Sequence, residues 1–366
     1  MQATDIWLRR GFGGSWNVRG GSGQTSAGSY ATGLARLTRT GNPTSRAVAH
    51  SSRTKLCKLA DPSVSAANDG STMAHKLLHI HDSLLGYVPC PGASGYVKDG
   101  VPVTIDADGF RFTGESQLSS DGVIVAVGDS YTYGEDVGDK DAWPAQLQGL
   151  TGQRVLNAGV SGYGFDQIVL RAELLAEALR PRVMIVSFIA DDIHRTEMRR
   201  LWWHDKPWFE IEEGQLVLKG VPVANRARLP LKARVQMEQV LVALPPIVQR
   251  LVGYHTRIHS PGSGLAIALR LTERLAKLQA ERLTKIVVVA QYDIRTWISK
   301  ACADEQRSLT QALLDCGASN GIATLDTYHR LAAEPARRQL YGLRHLNAQG
   351  NRIIAQLLTA ALSSLS

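Results

Sequence analysis

Five apolar segments, separated by amphipathic stretches, constrain this chain more than any other feature. GVIVAVGD (122–129), RVLNAG (154–159), RVMIVSFI (182–189), KIVVVAQYD (285–293) and GIATLD (321–326) are short runs rich in β-branched residues. Around them lie AWPAQLQGL, DQIVLRAELLAEAL, LRLTERLAKLQAERL, EQRSLTQALLDCGAS and NAQGNRIIAQLLTAALSSL, each with apolar residues at helical spacing. A strand apolar on both faces must be buried on both, and amphipathic helices supply that cover. The alternation predicts an α/β fold: a parallel sheet between two helical layers.

Two stretches break this rhythm. From 73 to 121, pieces such as YVKD and VPVTI lie between Gly, Pro and Asp turn signals, which predicts a small β lead-in of hairpins. From about 196 to 265 an insertion interrupts the alternation: a hairpin around Glu213-Gly214, then helices broken at Pro245-Pro246. We expect this insertion to sit over the reactive edge of the sheet as a partial cap. Residues 122–366 otherwise read as one α/β domain.

Residues 1–72 are rich in Gly, Ser, Thr and Arg without periodicity, and are expected to be a disordered tail. The net charge of +8 is concentrated there: residues 1–70 carry nine Lys/Arg against three Asp/Glu. The basicity therefore belongs to the tail and does not argue for a nucleic-acid partner. No apolar run reaches the roughly 18 residues that cross a bilayer, and the N-terminus lacks the apolar core of a secretory signal. Cys57, Cys90, Cys302 and Cys316 show no C-x-x-C spacing, so reduced thiols and a cytoplasmic setting are expected.

Chemistry gathers at AVGDSYTYGEDVG (126–138). Open parallel sheets place their reactive crevice at the carboxyl ends of the strands, and Ser130 stands just past the first one. Ser130 lies in G-D-S-Y-T and not in a G-x-S-x-G, so the elbow of α/β-hydrolases is absent at this serine. GDSYTYG resembles the first block of the SGNH/GDSL hydrolase family. NAGVSGYG (157–164), FIADDIHR (188–195) and HLNAQGNRIIA (345–355) resemble its later blocks, in the family's order. LLGYVP and TIDADGFR resemble the lead-in of some members.

The resemblance implies a three-layer, flavodoxin-like sheet and a serine esterase without cofactor or metal. It implies Ser130 as nucleophile, His345 as general base, and the main-chain N–H groups of Ser130 and Gly162 as oxyanion donors. A hydroxyl is a poor nucleophile until an imidazole takes its proton, and the tetrahedral intermediate needs donors fixed where charge develops. The expected substrate is a small-molecule or glycan ester. Transfer of the acyl group to a glycan hydroxyl is the alternative, and a binding module on a degenerate scaffold is the other.

The chain departs from the family twice. Asp191 holds the position of the family's third donor, an asparagine, and an ionised carboxylate cannot donate. Either it is protonated, or it is turned away with the donor supplied elsewhere, or the substrate's leaving group differs. Three residues before His345, where the family has an orienting aspartate, stands Gly342. The orienting group is then a backbone carbonyl or a carboxylate from another strand end, with Asp326 and Asp293 as candidates, or the site is a Ser-His dyad. Trp202, Trp203 and Trp208 either wall a substrate site or pack a hairpin. His79, His81 and Asp82, like His255 and His259, lack a further ligand nearby, so no metal site is expected.

Overall fold

In the computed structural model, which describes residues 79–96, 101–115, 122–225, 240 and 244–365, the five apolar segments lie side by side. In chain order the strands are β1 (His79–Asp82), β2 (Gly86–Pro89), β3 (Ser94–Tyr96), β4 (Pro102–Thr104), β5 (Ile124–Val127), β6 (Val155–Asn157), β7 (Val183–Phe188), β8 (Met198–Leu201), β9 (His204–Asp205), β10 (Trp208–Glu212), β11 (Gln215–Lys219), β12 (Thr256–Arg257), β13 (Lys285–Ala290) and β14 (Ala323–Asp326). The helices are α1 (Ser130–Tyr133), α2 (Trp143–Thr151), α3 (Phe165–Leu179), α4 (Ala190–Arg195), α5 (Pro246–Leu251), α6 (Gly264–Arg282), α7 (Lys300–Ser319), α8 (Tyr328–Ala332) and α9 (Ala348–Ser363). The tail expected over residues 1–72 lies outside the described residues, as does most of the predicted helical stretch before Pro245.

The main sheet is wholly parallel, in the order β14-β13-β7-β5-β6. This is the flavodoxin-like winding, which places a crevice beside the carboxyl end of the first strand, β5. Every residue of β5 and β7 is buried, as is β13 after Lys285, so the continuous apolar runs report two covered faces.

Docking of α9 on α2 carries the end of the chain to β5. Asn351 of α9 accepts a hydrogen bond from the Trp143 main-chain N–H (3.0 Å) and donates to the Leu346 carbonyl (2.8 Å). Gln146 of α2 donates to the Ala348 carbonyl (2.9 Å).

The insertion divides in two. The expected hairpin is β10–β11, turning at Glu213 (φ 50°) and Gly214 (φ 77°). It packs on α3 and α6 with Phe209 fully buried rather than over the sheet edge, which corrects the expectation of a cap for this part. Among the described residues of the insertion, the β8–β9 turn, Trp202-Trp203, leans over the crevice, where Trp202 meets Gly162. Of the described cysteines, Cys302 and Cys316 are free thiols, whereas Cys90 is disulfide-bonded, so the expectation of reduced thiols fails at that position. No described helix is long and apolar enough to cross a membrane.

Lys206, just after β9, is buried against Asp166 in the first turn of α3, and also donates to the Met198 carbonyl (3.1 Å). Removing one member of a buried pair strands the other's charge, at about 3–5 kcal/mol, whereas an apolar replacement of both is often near neutral. Lys206→Met is therefore expected to lower the urea midpoint sharply, and Asp166→Leu/Lys206→Met to recover most of the loss. A double variant as unstable as the single one would contradict this account of the pair.

Candidate active site

β5 ends at Gly128, whose backbone is so closely packed that a Cβ there would lie 2.1 Å from Thr132 Oγ1 and 2.8 Å from the Ser187 carbonyl. Only glycine lets the chain pass. Asp129 then caps α1, accepting from the Tyr131 main-chain N–H at 2.9 Å, and leaves Ser130 as the first helical residue. A first-turn N–H has no intrahelical acceptor. That of Ser130 donates to no acceptor among the described residues.

Ser130 Oγ lies 2.9 Å from His345 Nε2 and 3.2 Å from Asp129 Oδ2. His345 sits on a tight turn closed by the Gly342 N–H donating to the His345 carbonyl (2.8 Å). Tyr131 braces this turn, its hydroxyl donating to the Arg344 carbonyl (3.0 Å) and its ring lying edge-on to the imidazole.

The carboxylate facing the other ring nitrogen is Asp136, from the loop that follows Ser130. Its Oδ1 lies 3.4 Å from His345 Nδ1, an ion-pair distance, and no closer acceptor serves that nitrogen. Its Oδ2 accepts the main-chain N–H groups of Arg344 (3.2 Å) and His345 (3.1 Å). A Cβ on residue 342 would come within 3.2 Å of this Oδ2. Asp136 thus occupies the room that a side chain at Gly342 would contest. Neither Asp293 nor Asp326 faces the ring: Asp293 is held by Arg295 and Gln306, and Asp326 caps Tyr328. The acidic pair in GED, just past the serine's block with Asp136 six residues after Ser130, was the only sequence signal for Asp136.

That loop is held by Arg111, a buried side chain from the lead-in. Its guanidinium donates to the carbonyls of Tyr133 (2.5 Å), Gly134 and Val137 (2.6 Å) and pairs with Asp139 (3.2 Å). Burial alone would raise the Asp136 carboxyl, but His345 and the two main-chain donors outweigh it and hold it down to about 2. Burial pushes His345 the other way; the carboxylates of Asp136, Glu135 and Asp129 prevail and raise its pKa above the ordinary histidine value. Glu135 Oε2 stands 3.9 Å from Nε2 and accepts from the Ser161 hydroxyl.

Gly162 follows Ser161 in the loop after β6. Its φ is +80°, and its N–H donates to no acceptor among the described residues. A Cβ here would lie 2.5 Å from the Trp202 ring, which is also approached by the Arg195 guanidinium at 5.4 Å. Arg195 itself pairs with Asp192 (2.5 Å) and Asp129 (3.6 Å) beneath the serine. Trp203 rests on Tyr254, and Trp208 packs against Gly220 within its hairpin, so of the three tryptophans Trp202 is the one at Gly162. Asp191 pairs with Arg295 (2.7 Å). Burial opposes its ionisation, but Arg195 and Arg295 overcome this and hold its pKa below the usual carboxylate range. It is an acceptor, turned to a guanidinium.

Among the histidines raised as metal ligands, His79 packs against Tyr87, His255 against Trp202, and His259 bonds with the Phe209 carbonyl.

The chain belongs to the GDSL-like lipase/acylhydrolase family, whose model matches residues 126–353. No curated protein sequence matches. Among solved structures it is similar to an α/β hydrolase from the metagenome of Lake Arreo, Spain (15% identity, 69% of this chain and 100% of that one, TM-score 0.41). It is also similar to a lipase/acylhydrolase from Enterococcus faecalis (13%, 66% and 95%, 0.37) and an acetylxylan esterase from Geobacillus stearothermophilus (13%, 68% and 96%, 0.41).

The electrostatics give a direct expectation. Negative charge favours the imidazolium, so His345 should titrate above the ordinary value of about 6.5 by NMR. Asp136→Asn removes the largest favourable partner and should lower that pKa. A His345 titration unmoved by Asp136→Asn would show that the carboxylate does not act on the ring.

Proposed function

We propose that the chain is a serine esterase, and the observation that carries this reading is the 2.9 Å contact of Ser130 Oγ with His345 Nε2 across 215 residues of sequence. Neutral His345 takes the serine proton as Oγ attacks the acyl carbonyl carbon. The oxygen that becomes negative is received by the Ser130 and Gly162 N–H groups, whose lack of an acceptor among the described residues supports this role. The imidazolium, oriented by Asp136, returns the proton to the departing alcohol. Water, deprotonated by His345, then attacks the acyl-serine, and collapse of the second intermediate releases the acid and restores Ser130.

Asp191, an ionised acceptor held by Arg295, takes no part as an oxyanion donor. This site works with two main-chain donors. A small-molecule or glycan ester fits the reading, with Trp202 as the wall beside Gly162. The disulfide at Cys90 favours an oxidising compartment over the cytoplasmic setting expected from the sequence.

Hydrolysis of short- and long-chain p-nitrophenyl esters by wild type, Ser130→Ala and His345→Ala tests the reading. Each substitution is expected to lower kcat by at least about 10⁴-fold. Hydrolysis persisting in Ser130→Ala at the wild-type rate would refute it. Because the base must be neutral, kcat/KM should rise with pH through the elevated His345 pKa.

A further inference from the structure

The lead-in hairpin β1–β2 reaches the site at a peptide bond. Tyr87, buried in β2, donates its hydroxyl hydrogen to the Ser161 carbonyl oxygen at 2.9 Å. The peptide formed by that carbonyl also contains the Gly162 N–H. In a trans peptide the C=O and N–H point in opposite directions, so a partner that fixes one fixes the other.

The local fold leaves this peptide otherwise free to rotate. Val160 to Tyr163 form a turn closed by the Tyr163 N–H on the Val160 carbonyl (3.3 Å), with Gly162 at φ +80° in its third position. In a turn of this kind the central peptide, here Ser161–Gly162, makes no bond within the turn and can flip. Two contacts oppose the flip. One is Tyr87 on the carbonyl. The other is the Ser161 hydroxyl, which donates to Glu135 on the loop that also carries Asp136. Trp202 closes the remaining side, since even a methyl on Gly162 would collide with its ring. Tyr87 is itself fixed: its main-chain carbonyl accepts the Tyr163 hydroxyl, and the neighbouring Leu85 carbonyl accepts Gln167 Nε2 (2.8 Å).

We propose that Tyr87 and Glu135 clamp residue Ser161 from two sides and thereby aim the Gly162 N–H at the developing oxyanion. Tyr87 is a positioning residue, acting through a peptide it does not share. The inference rests on the esterase reading above, with Gly162 as a donor. It also gives the lead-in a task in the reaction: a segment at the start of the described chain sets the direction of a donor more than seventy residues later.

The test compares an oxygen ester with its thiono (C=S) analogue, because sulfur accepts hydrogen bonds poorly and the rate ratio of the two reports how well the oxyanion donors are aimed. Tyr87→Phe is expected to lower kcat on the oxygen ester by about 10-fold to 10²-fold, below the 10²–10³ typical of deleting a donor outright. KM should be unchanged and the oxygen-to-sulfur ratio should fall by a similar factor. Ser161→Ala, which cuts the Glu135 bond, should move both quantities the same way and carries the test if Tyr87→Phe fails to fold. A wild type without Ser130-dependent hydrolysis would sink the esterase reading itself. An active wild type whose Tyr87→Phe and Ser161→Ala variants keep kcat and the ratio would overturn the clamp alone.

Discussion

The imidazole of His345 is gripped by a carboxylate that belongs to the serine's side of the cleft, and the remaining geometry follows from that grip. Asp136 binds the His345 turn at three points, two main-chain N–H groups and one ring nitrogen. A single loop of a few residues, Tyr133 to Asp139, thus fixes the distance between Ser130 and His345. The loop has little regular structure of its own to hold it. Arg111 supplies the restraint, its planar fork satisfying three carbonyls that point inward. Docking of α9 on α2 through Asn351 brings the turn to the loop from the other direction.

The electrostatics are those of a crowded acidic site kept in balance by arginines. Asp129, Glu135 and Asp136 surround the histidine and favour its protonated form. Asp129 and Asp192 would repel one another in the buried space under the serine, and Arg195 lies between them. Asp191 and Asp293 share Arg295 in the same manner at the ends of β7 and β13. Arg195 and Arg295 thus each serve two carboxylates, and Asp191 is one half of an ion pair.

Much of this was legible in the sequence, and the reasons are physical. Continuous β-branched runs are what two-faced burial demands, so the five sheet strands and their cover could be read directly. Ser130, Gly162 and His345 lie at strand ends or beside a helix start, where local pattern marks them. Asp136 could not be read in this way. Orienting an imidazole requires only that a carboxylate arrive in space, and any loop can deliver it; the strand ends offer Asp293 and Asp326, which the fold commits to Arg295 and Tyr328. Arg111 and Tyr87 were hidden for the same reason, since both act on main-chain carbonyls and these carry no sequence signature. The β10–β11 hairpin was foreseen but its docking was not, because the apolar face that seats Phe209 on α3 and α6 says nothing of which surface receives it.

We propose that the acid orienting His345 stands on the serine's loop, in room left by a glycine on the histidine's turn. This placement is tested most directly by moving the acid back. With kcat/KM on an activated ester as the measure, Asp136→Asn should lose up to about 10⁴-fold. Asp136→Asn/Gly342→Asp should regain at least tenfold of that loss. An Asp136→Asn variant as active as wild type would contradict the account.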